Sequence, residues 1–330
     1  MKTMRPAGFA LLLAIGLFSA ASTSAQDFGM VEPLSLIIAP QYPRPHEVMV
    51  VAPRSNLIDL AASTVTLYVN GKKVGTGSGT KGFTIAAPGT GEQATIEMLA
   101  VYQGKTYSAE TSVRPADVAL VVEALSTTHP FYRGASLVAP EGRVRLVAIP
   151  DIRTSPGNRI PASALSYTWK VGDRTLTNES GIGKSVLLSE APLRYRDTTV
   201  NVIVKTQDGS VAASATVAVA PVDPIVRMYE NNPLLGPLFE RAVESTFSMK
   251  EDEQGFIAVP YFFGAIPGFT WSVNDAESGT EDTITVRVGG AGAGEATLSI
   301  HAQGSGLFSS AGFSSLIRFG EESSGNFFGL

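Results

Sequence analysis

The sequence predicts an all-β protein built from three antiparallel β-sandwiches in tandem, with one short helix inserted in the third. Three observations lead to this fold class. The chain has 330 residues, more than one ordinary small domain needs. Hydrophobic residues make up 44% of it and charged residues only 17%, which favours packed cores over disorder. The third observation is a repeated sequence motif, called here the phrase, that surrounds each of the two tryptophans.

The phrase reads SYTWKVGDR in residues 166–174 and GFTWSVNDA in residues 268–276, so Trp169 and Trp271 are 102 residues apart (271 minus 169). The same interval before Trp169 falls on Leu67, in TVTLYVNGKK. Each phrase is an alternating strand that ends in an Asn/Asp/Gly turn. A period of about 100 residues is the size of one immunoglobulin-like sandwich. We therefore expect Leu67, Trp169 and Trp271 to point inward between two sheets and to form the structural core.

The segments around the phrases support the same division. An apolar strand with a proline precedes each phrase, at Pro53, Pro150 and Pro260, and further alternating strands follow it. Six or seven short strands per unit are typical of an antiparallel sandwich. The sequence thus predicts a signal peptide over residues 1–25 and immunoglobulin-like domains over residues 26–115, 116–222 and 223–330. Short proline-bearing joints predict a semi-rigid array.

The third unit contains the one stretch with helical spacing. Asn231 and Asn232 can cap a helix, and a proline is tolerated in its first turn. Apolar residues then recur at intervals of three and four, at Leu235, Phe239, Ala242 and Val243. We expect a helix over residues 233–247 that covers one end of the third sandwich or, alternatively, docks a partner.

The N-terminus predicts export. Lys2 and Arg5 precede an apolar run over residues 8–21, and small residues follow it up to Ala25. This run is shorter than the roughly 20 residues of a membrane span, so a signal peptide cleaved after Ala25 is expected, with an uncleaved anchor as the alternative. The chain has no cysteine, so its domains depend on full-sized cores.

Two motifs resemble known families. Tyr167-x-Trp169 and Phe269-x-Trp271 resemble the Y-x-W strand of PKD-type and other immunoglobulin-like modules of bacterial surface proteins. The stretch MYENNPLLGPLFERAV, residues 228–243, resembles part of uncharacterised exported proteins from bacterial lineages with pilus-like machinery. The resemblance implies a tandem β-sandwich surface protein in a surface or pilus-related context, and it implies no chemistry.

The sequence offers no catalytic constellation. SGIGKS, residues 180–185, lacks the first glycine of a phosphate loop, whose place is taken by Asn178. No Gly-x-Ser-x-Gly occurs, and the three histidines are spread one to each unit. The net charge of −5 and the lack of a basic stripe disfavour nucleic acid. We therefore expect no enzyme activity and no cofactor.

One acidic segment is a candidate metal site. NDAESGTED, residues 274–282, contains Asp275, Glu277, Glu281 and Asp282. Oxygen-rich clusters of this kind bind calcium in some loops. A solvated acidic loop and a pair of glycosidase carboxylates are the alternatives, the latter requiring groups roughly 5–10 Å apart across a cleft.

These observations predict an exported, non-enzymatic structural or adhesive protein of the cell envelope, with a protein partner and no membrane span after signal cleavage. The alternative is an accessory module that binds polysaccharide. The segments QYPRPHE and HPFYRG combine proline, aromatic residues and arginine, as interfaces and sugar-stacking sites do. Tyr42, Tyr132 and Tyr261 on one exposed face would favour that alternative.

Overall fold

The computed structural model describes residues 32–290 and 292–320, and the predicted signal peptide lies outside this range. The described residues form 26 strands and two short 3-10 turns, without any α-helix. Strands pair only within three groups, called here domains 1, 2 and 3. Each domain is two sheets packed face to face, as the binary pattern of its strands requires. Within the described part of the chain, no helix is long and apolar enough to cross a bilayer.

Domain 1 pairs β1-β2-β5 in its first sheet and β4-β3-β6-β7 in its second. Its strands are β1 Ser35–Ala39, β2 Val48–Arg54, β3 Thr64–Val69, β4 Lys72–Ser78, β5 Phe83–Ala86, β6 Ala94–Tyr102 and β7 Lys105–Val113.

Domain 2 repeats this order with β8-β9-β15 and β13-β12-β16-β17, and it adds β14 beside β12 and a small β10-β11 hairpin. Its strands are β8 Asp117–Leu125, β9 Arg143–Asp151, β10 Arg153–Ser155, β11 Asn158–Arg159, β12 Ser166–Val171, β13 Arg174–Thr175, β14 Gly181–Ile182, β15 Val186–Glu190, β16 Thr198–Lys205 and β17 Ala212–Val219. The 3-10 turns are Ala162–Ala164 and Thr177–Glu179.

Domain 3 pairs β19-β18-β21-β24 in its first sheet and β20-β26-β25-β22-β23 in its second. Its strands are β18 Ile225–Asn232, β19 Gly236–Pro237, β20 Thr246–Ser248, β21 Glu253–Tyr261, β22 Gly268–Val273, β23 Ala276–Gly279, β24 Thr283–Arg287, β25 Gly294–Gln303 and β26 Ser310–Phe319. The short strand β20 runs parallel to β26, whereas the other pairs are antiparallel.

The repeated phrase builds the same strand in each domain. Leu67, Trp169 and Trp271 lie on β3, β12 and β22, and all three side chains are fully buried. The indole N–H of Trp169 donates to the carbonyl of Lys184 at 2.8 Å, and that of Trp271 donates to the carbonyl of Glu281 at 2.9 Å. Both carbonyls lie two residues before an edge strand of the opposite sheet. Each buried indole is thus hydrogen-bonded, as burial of a polar N–H requires.

The end of the phrase is a tight turn with left-handed backbone. Asn70, Gly172 and Asn274 have φ of 51°, 56° and 48°. Their backbone N–H groups donate to carbonyls on the neighbouring strand or its entrance, those of Thr95, Thr199 and Thr297, at 2.8, 2.8 and 2.9 Å. Asn and Gly tolerate this conformation best, so the Asn/Gly at this position follows from turn geometry.

The fold class predicted from the sequence, tandem immunoglobulin-like antiparallel sandwiches, is confirmed by this strand order. The three strand prolines also occupy equivalent positions. Each pairs with the second residue of the first strand of its domain: Pro53 with Leu36, Pro150 with Val118, and Pro260 with Val226.

The predicted helix over residues 233–247 is wrong. The Asn232 side chain accepts hydrogen bonds from the N–H groups of Leu234 and Leu235 at 2.9 and 3.0 Å, which forms a turn rather than a helix cap. Gly236 has φ of 75°, outside the helical region. The chain then pairs back along β18, where the Leu238 N–H donates to the Glu230 carbonyl. The apolar spacing instead reflects separate contacts, since Val243 is buried in the core of domain 3 while Leu235 is exposed.

Candidate functional site

The outer face of the first sheet, the side turned away from the core, carries several apolar side chains in all three domains. In domain 1 this face exposes Ile37, Val48 and Val50. In domain 2 it exposes Val121, Ile149, Val186 and Leu188. In domain 3 the equivalent residues, Tyr229, Val259 and Tyr261, are buried. A sheet with one solvated face normally carries polar residues there, so these faces indicate contact surfaces.

The outer face of domain 3 is covered by a loop of domain 2, residues 126–142, which joins β8 to β9. Thr127 makes three hydrogen bonds to the two residues that follow β21. Its N–H donates to the Phe263 carbonyl at 2.9 Å, and its carbonyl and Oγ1 accept from the N–H groups of Phe262 and Phe263 at 2.8 and 3.0 Å. Phe262 has φ of 62°, an unfavourable conformation for a bulky residue. The loop contact holds it there.

Aromatic rings fill the space under this loop and form what we call the aromatic joint: His129, Tyr132, Tyr229, Phe239, Tyr261 and Phe262. The His129 ring stacks on Phe239 with centroids 4.8 Å apart, and it meets Tyr132, Tyr229 and Tyr261 edge-on at 5.9, 6.2 and 5.8 Å. Such pairs contribute about 0.5–1.5 kcal/mol each beyond area burial. The cluster spans two domains, so this energy couples them.

Two buried hydroxyls lie within the aromatic joint. The Tyr229 and Tyr261 hydroxyl groups are 2.7 Å apart and hydrogen-bond to each other. Burial raises the pKa of Tyr261 well above its usual value, and the hydrogen bond with Tyr229 raises it further. The Tyr261 side chain is therefore neutral at physiological pH, as an apolar joint requires.

A second contact fixes domain 3 against domain 2. The Glu141 carboxylate accepts a hydrogen bond from the Leu307 N–H at 3.0 Å. Gly264 approaches Gly142 so closely that a Cβ at position 264 would lie 3.2 Å from the Gly142 Cα. The Val222 N–H in the linker donates to the Val138 carbonyl at 2.9 Å. Loop, linker and sandwich ends are thus all tied together at this joint.

A cleft of about 820 Å³ lies beside the aromatic joint and exposes part of it. Phe131, 73% exposed, and Phe239 form its apolar wall, with centroids 6.0 Å apart. Arg133 and Glu240 line the same cleft and provide charge of both signs. The two rings can stack against a flat apolar face of a ligand, and the charged side chains can hydrogen-bond to polar groups at the edge of that ligand.

The four acidic residues predicted as a candidate calcium site are exposed and are not brought together. Asp275 lies in the turn between β22 and β23, Glu277 is on β23, and Glu281 and Asp282 precede β24. Two of them have structural backbone roles, since the Glu281 and Asp282 carbonyls accept from Trp271 and Ala258. In the ranges 32–290 and 292–320, no three His, Asp or Glu residues are grouped so as to hold a metal ion.

The other sequence candidates also lie apart. Residues 180–185 support Trp169, because Ser180 Oγ accepts from its backbone N–H and the Lys184 carbonyl accepts from its indole. Tyr132 and Tyr261 are neighbours, with centroids 5.6 Å apart, but Tyr261 is only 4% exposed. Tyr42 lies at the other end of domain 2, beside Lys205. The three tyrosines therefore form no common exposed face.

Sequence reasoning missed the aromatic joint. His129 is partly buried in it, and Phe239 packs in the joint rather than on the predicted helix. The available signal was the continuous apolar run from Phe256 to Phe263, which leaves neither face of β21 polar. A strand that is apolar on both faces indicates cover on both sides.

The strand order defines the class of protein: a tandem array of immunoglobulin-like β-sandwiches. Several solved structures of tandem domains are similar to this chain. The three N-terminal domains of the bacteriophage RB49 highly immunogenic outer capsid protein are 11% identical, cover 87% of this chain and 98% of their own, and give a TM-score of 0.26. The central fibronectin-III array of RIM-binding protein is 12% identical, with coverage of 86% and 94% and a TM-score of 0.27. Sidekick-1 immunoglobulin domains 1–4 are 13% identical, cover 86% of this chain and 76% of their own, and give a TM-score of 0.23.

No protein-family model matches the chain, and no curated protein sequence does.

Proposed function

We propose that the chain is an exported, non-enzymatic structural or adhesive protein of the cell envelope or of pilus-like surface machinery. The observation that supports this proposal is the uncovered apolar face of domain 2. Val121, Val147 and Val186 lie in one row across its three strands, and the ion pair of Arg145 and Glu123, at 2.9 Å, occupies the next row. An apolar patch bordered by charges is typical of a protein-docking surface.

Export is tested with the full chain carrying its own N-terminal segment in a bacterial host. We expect N-terminal sequencing of the envelope or extracellular fraction to begin at Gln26, because the small residues before it suit signal cleavage. Leu12→Arg places a charge in the apolar run and should retain the precursor in the cytosol. Recovery of the unmodified chain only from the cytosol would contradict export.

Adhesion is tested by binding of the chain from residue 26 to isolated envelopes. Val186→Asp with Leu188→Asp places two charges on the outer face of domain 2 and should weaken binding by roughly 10- to 100-fold. The matched control is Thr216→Asp, at an exposed position on the opposite sheet of the same domain. Equal binding by both variants and the unchanged chain would rule out this face as the contact.

A polysaccharide-binding function is the second candidate, and the cleft beside the aromatic joint favours it. Phe131 is exposed there and lines the cleft with Arg133 and Glu240, which combines a stacking surface with hydrogen-bonding groups. A glycan array should give hits that Phe131→Ala removes and that Phe308→Ala, at another exposed phenylalanine, leaves unchanged. An array without hits would exclude this candidate.

A further inference from the structure

The contact between domains 2 and 3 shows how one sandwich of this chain covers the next. The connection between the first two strands of domain 2, residues 126–142, lies on the outer face of the first sheet of domain 3. The equivalent connection in domain 1, residues 40–47, is shorter, and the outer face of domain 2 stays exposed. The length and apolar content of this connection therefore decide whether the following face is covered.

Domain 3 carries the longest such connection, residues 233–252. Its first part, the leucine tip over residues 233–236, places Leu234 and Leu235 in solvent at 94% and 77% exposure. The tip is ordered, because Asn232 Oδ1 accepts from both leucine N–H groups and β19 pairs with β18 below it. A preorganised apolar tip loses little conformational entropy on binding.

The tip points away from domain 2. The strand β18 starts directly after the linker, and its eight residues, at about 3.3 Å each, carry the chain roughly 25 Å away from that linker. The described residues of the chain place no sandwich face at that end. The tip thus occupies the position of the covering loop at the opposite end of its domain.

Domain 1 carries a face of the required shape. Ile37, Val48 and Val50 project from it, and the small residues Ala39, Ala52 and Ala86 lie between or beside them on the same side of the sheet. Small side chains among branched ones leave shallow depressions that leucine side chains can fill. The face of domain 2 differs, because a row of it is occupied by the Arg145–Glu123 ion pair.

Charge also favours domain 1. Arg54 lies on its outer face opposite Ser35, and Lys81 lies just before β5; both are exposed, and neither forms an ion pair within the described residues. Beside the leucine tip, three acids and one cation line the cleft that includes Pro233: Glu230, Glu251, Glu253 and Lys250. Opposite charges around an apolar contact orient two partners and speed their encounter.

From these observations we infer that the protein associates head to tail with a second copy of itself: the leucine tip of domain 3 in one molecule docks on the outer face of domain 1 in the next. The two contacting surfaces are different, so each molecule keeps one free tip and one free face. A contact of this heterologous kind produces open chains or closed rings rather than a simple symmetric dimer. The inference goes beyond the proposed function, since it requires neither export nor a foreign partner.

Sedimentation velocity of the chain from residue 26 tests this inference. The unchanged protein should form species that grow with concentration and shrink at high salt. Leu234→Asp with Leu235→Asp, the tip variant, and Val48→Asp with Val50→Asp, the face variant, should each weaken association by roughly 100-fold. The matched control, Val186→Asp with Leu188→Asp on the equivalent sheet of domain 2, should assemble like the unchanged protein.

Mixing the tip variant with the face variant gives the sharpest result. One intact tip and one intact face remain in the mixture, so it should form dimers that grow no further. Loss of association in the face variant alone would indicate face-to-face pairing and would overturn the inference. So would a monomer at every concentration up to the solubility limit, although such a monomer could still be exported and adhesive.

A crosslinking measurement covers the case in which a charged variant unfolds. The chain has no cysteine, so single cysteines report one contact each. Leu235→Cys mixed with Val48→Cys should give a disulfide-linked dimer on mild oxidation. Leu235→Cys mixed with Val186→Cys should give none above background, and equal yields in the two mixtures would overturn the inference.

Discussion

The two joints between the sandwiches differ in the chemistry that holds them. Domains 2 and 3 share the aromatic joint, in which buried rings from both domains meet and a pair of hydroxyls is satisfied internally. Domains 1 and 2 meet through polar contacts. Arg44 pairs with Asp117 at 3.3 Å, and the Lys205 ammonium group lies over the Tyr42 ring, 5.8 Å from its centroid. Both Arg44 and Asp117 are about half exposed or more.

This difference predicts different mechanics. An exposed ion pair contributes about 0–1 kcal/mol and weakens in salt, whereas buried aromatic contacts exclude water and persist. We therefore expect domains 2 and 3 to unfold and move as one unit, and domain 1 to reorient about its joint. The local cause is the longer loop over residues 126–142, which reaches the neighbouring sandwich with apolar side chains.

The largest effect is expected from Tyr261→Ala. Tyr261 is buried among four rings of the aromatic joint, and its hydroxyl group hydrogen-bonds to that of Tyr229. Loss of the side chain should therefore lower the free energy of unfolding of domain 3 by about 3–5 kcal/mol. Denaturant titration with hydrogen exchange measures this, and amide protection should fall at Thr127 and Phe263 as well. Tyr42→Ala, beside Lys205 at the polar joint, is the matched control and should cost under about 1 kcal/mol. Comparable losses in the two variants would show that the joints are equivalent.

A smaller effect is expected from Tyr261→Phe. The ring stays in place, but the Tyr229 hydroxyl loses its only partner among the described residues and remains buried, which should cost about 1–3 kcal/mol. The double variant Tyr229→Phe with Tyr261→Phe removes both hydroxyls and should recover most of the loss. Chemical denaturation compares the three proteins, and a double variant less stable than Tyr261→Phe would contradict this account of the joint.

The domain-level pattern could be read from the sequence because it is local. A turn that needs left-handed backbone selects Asn or Gly, so Asn70, Gly172 and Asn274 recur at one spacing and reveal the repeat. The helix prediction failed for a local reason too: Asn232 bonded the following N–H groups as a turn, and Gly236 left the helical region. Leucine and phenylalanine at helical spacing did not outweigh these two residues.

The aromatic joint could not be read from local pattern. His129 and its partners Tyr229, Phe239 and Tyr261 are far apart in sequence, and only the angle between two folded domains brings them together. The sequence showed an apolar run in β21 but not what covers it. The same limit applies to the four acidic residues near β24, whose clustering in sequence did not translate into convergence in space.

Alkaline pH should separate the two joints further. Burial raises the pKa of Tyr261 in the folded protein above its value of about 10 in the unfolded chain. A group of this kind stabilises the fold fully below the unfolded pKa and loses that contribution as pH rises above it. Between pH 10 and 11 the free energy of unfolding of domains 2 and 3 should fall by up to about 1.4 kcal/mol per pH unit. Thermal melts of the unchanged protein and of Tyr229→Phe with Tyr261→Phe measure it, and identical slopes would exclude the tyrosine pair as the cause.

The smallest effect is expected at the polar joint. Asp117→Asn removes the carboxylate that pairs with Arg44 and should change the free energy of unfolding by less than about 1 kcal/mol, because the pair is exposed to solvent. Its effect should instead be seen in small-angle X-ray scattering, as a wider spread of distances between domain 1 and the rest of the chain. High salt should produce the same spread in the unchanged protein, since it screens the pair. A scattering curve that responds to neither change would mean that the Arg44–Asp117 pair does not fix the orientation of domain 1. Backbone contacts, such as the close approach of Gly91 to the Ser155 carbonyl, would then set that orientation.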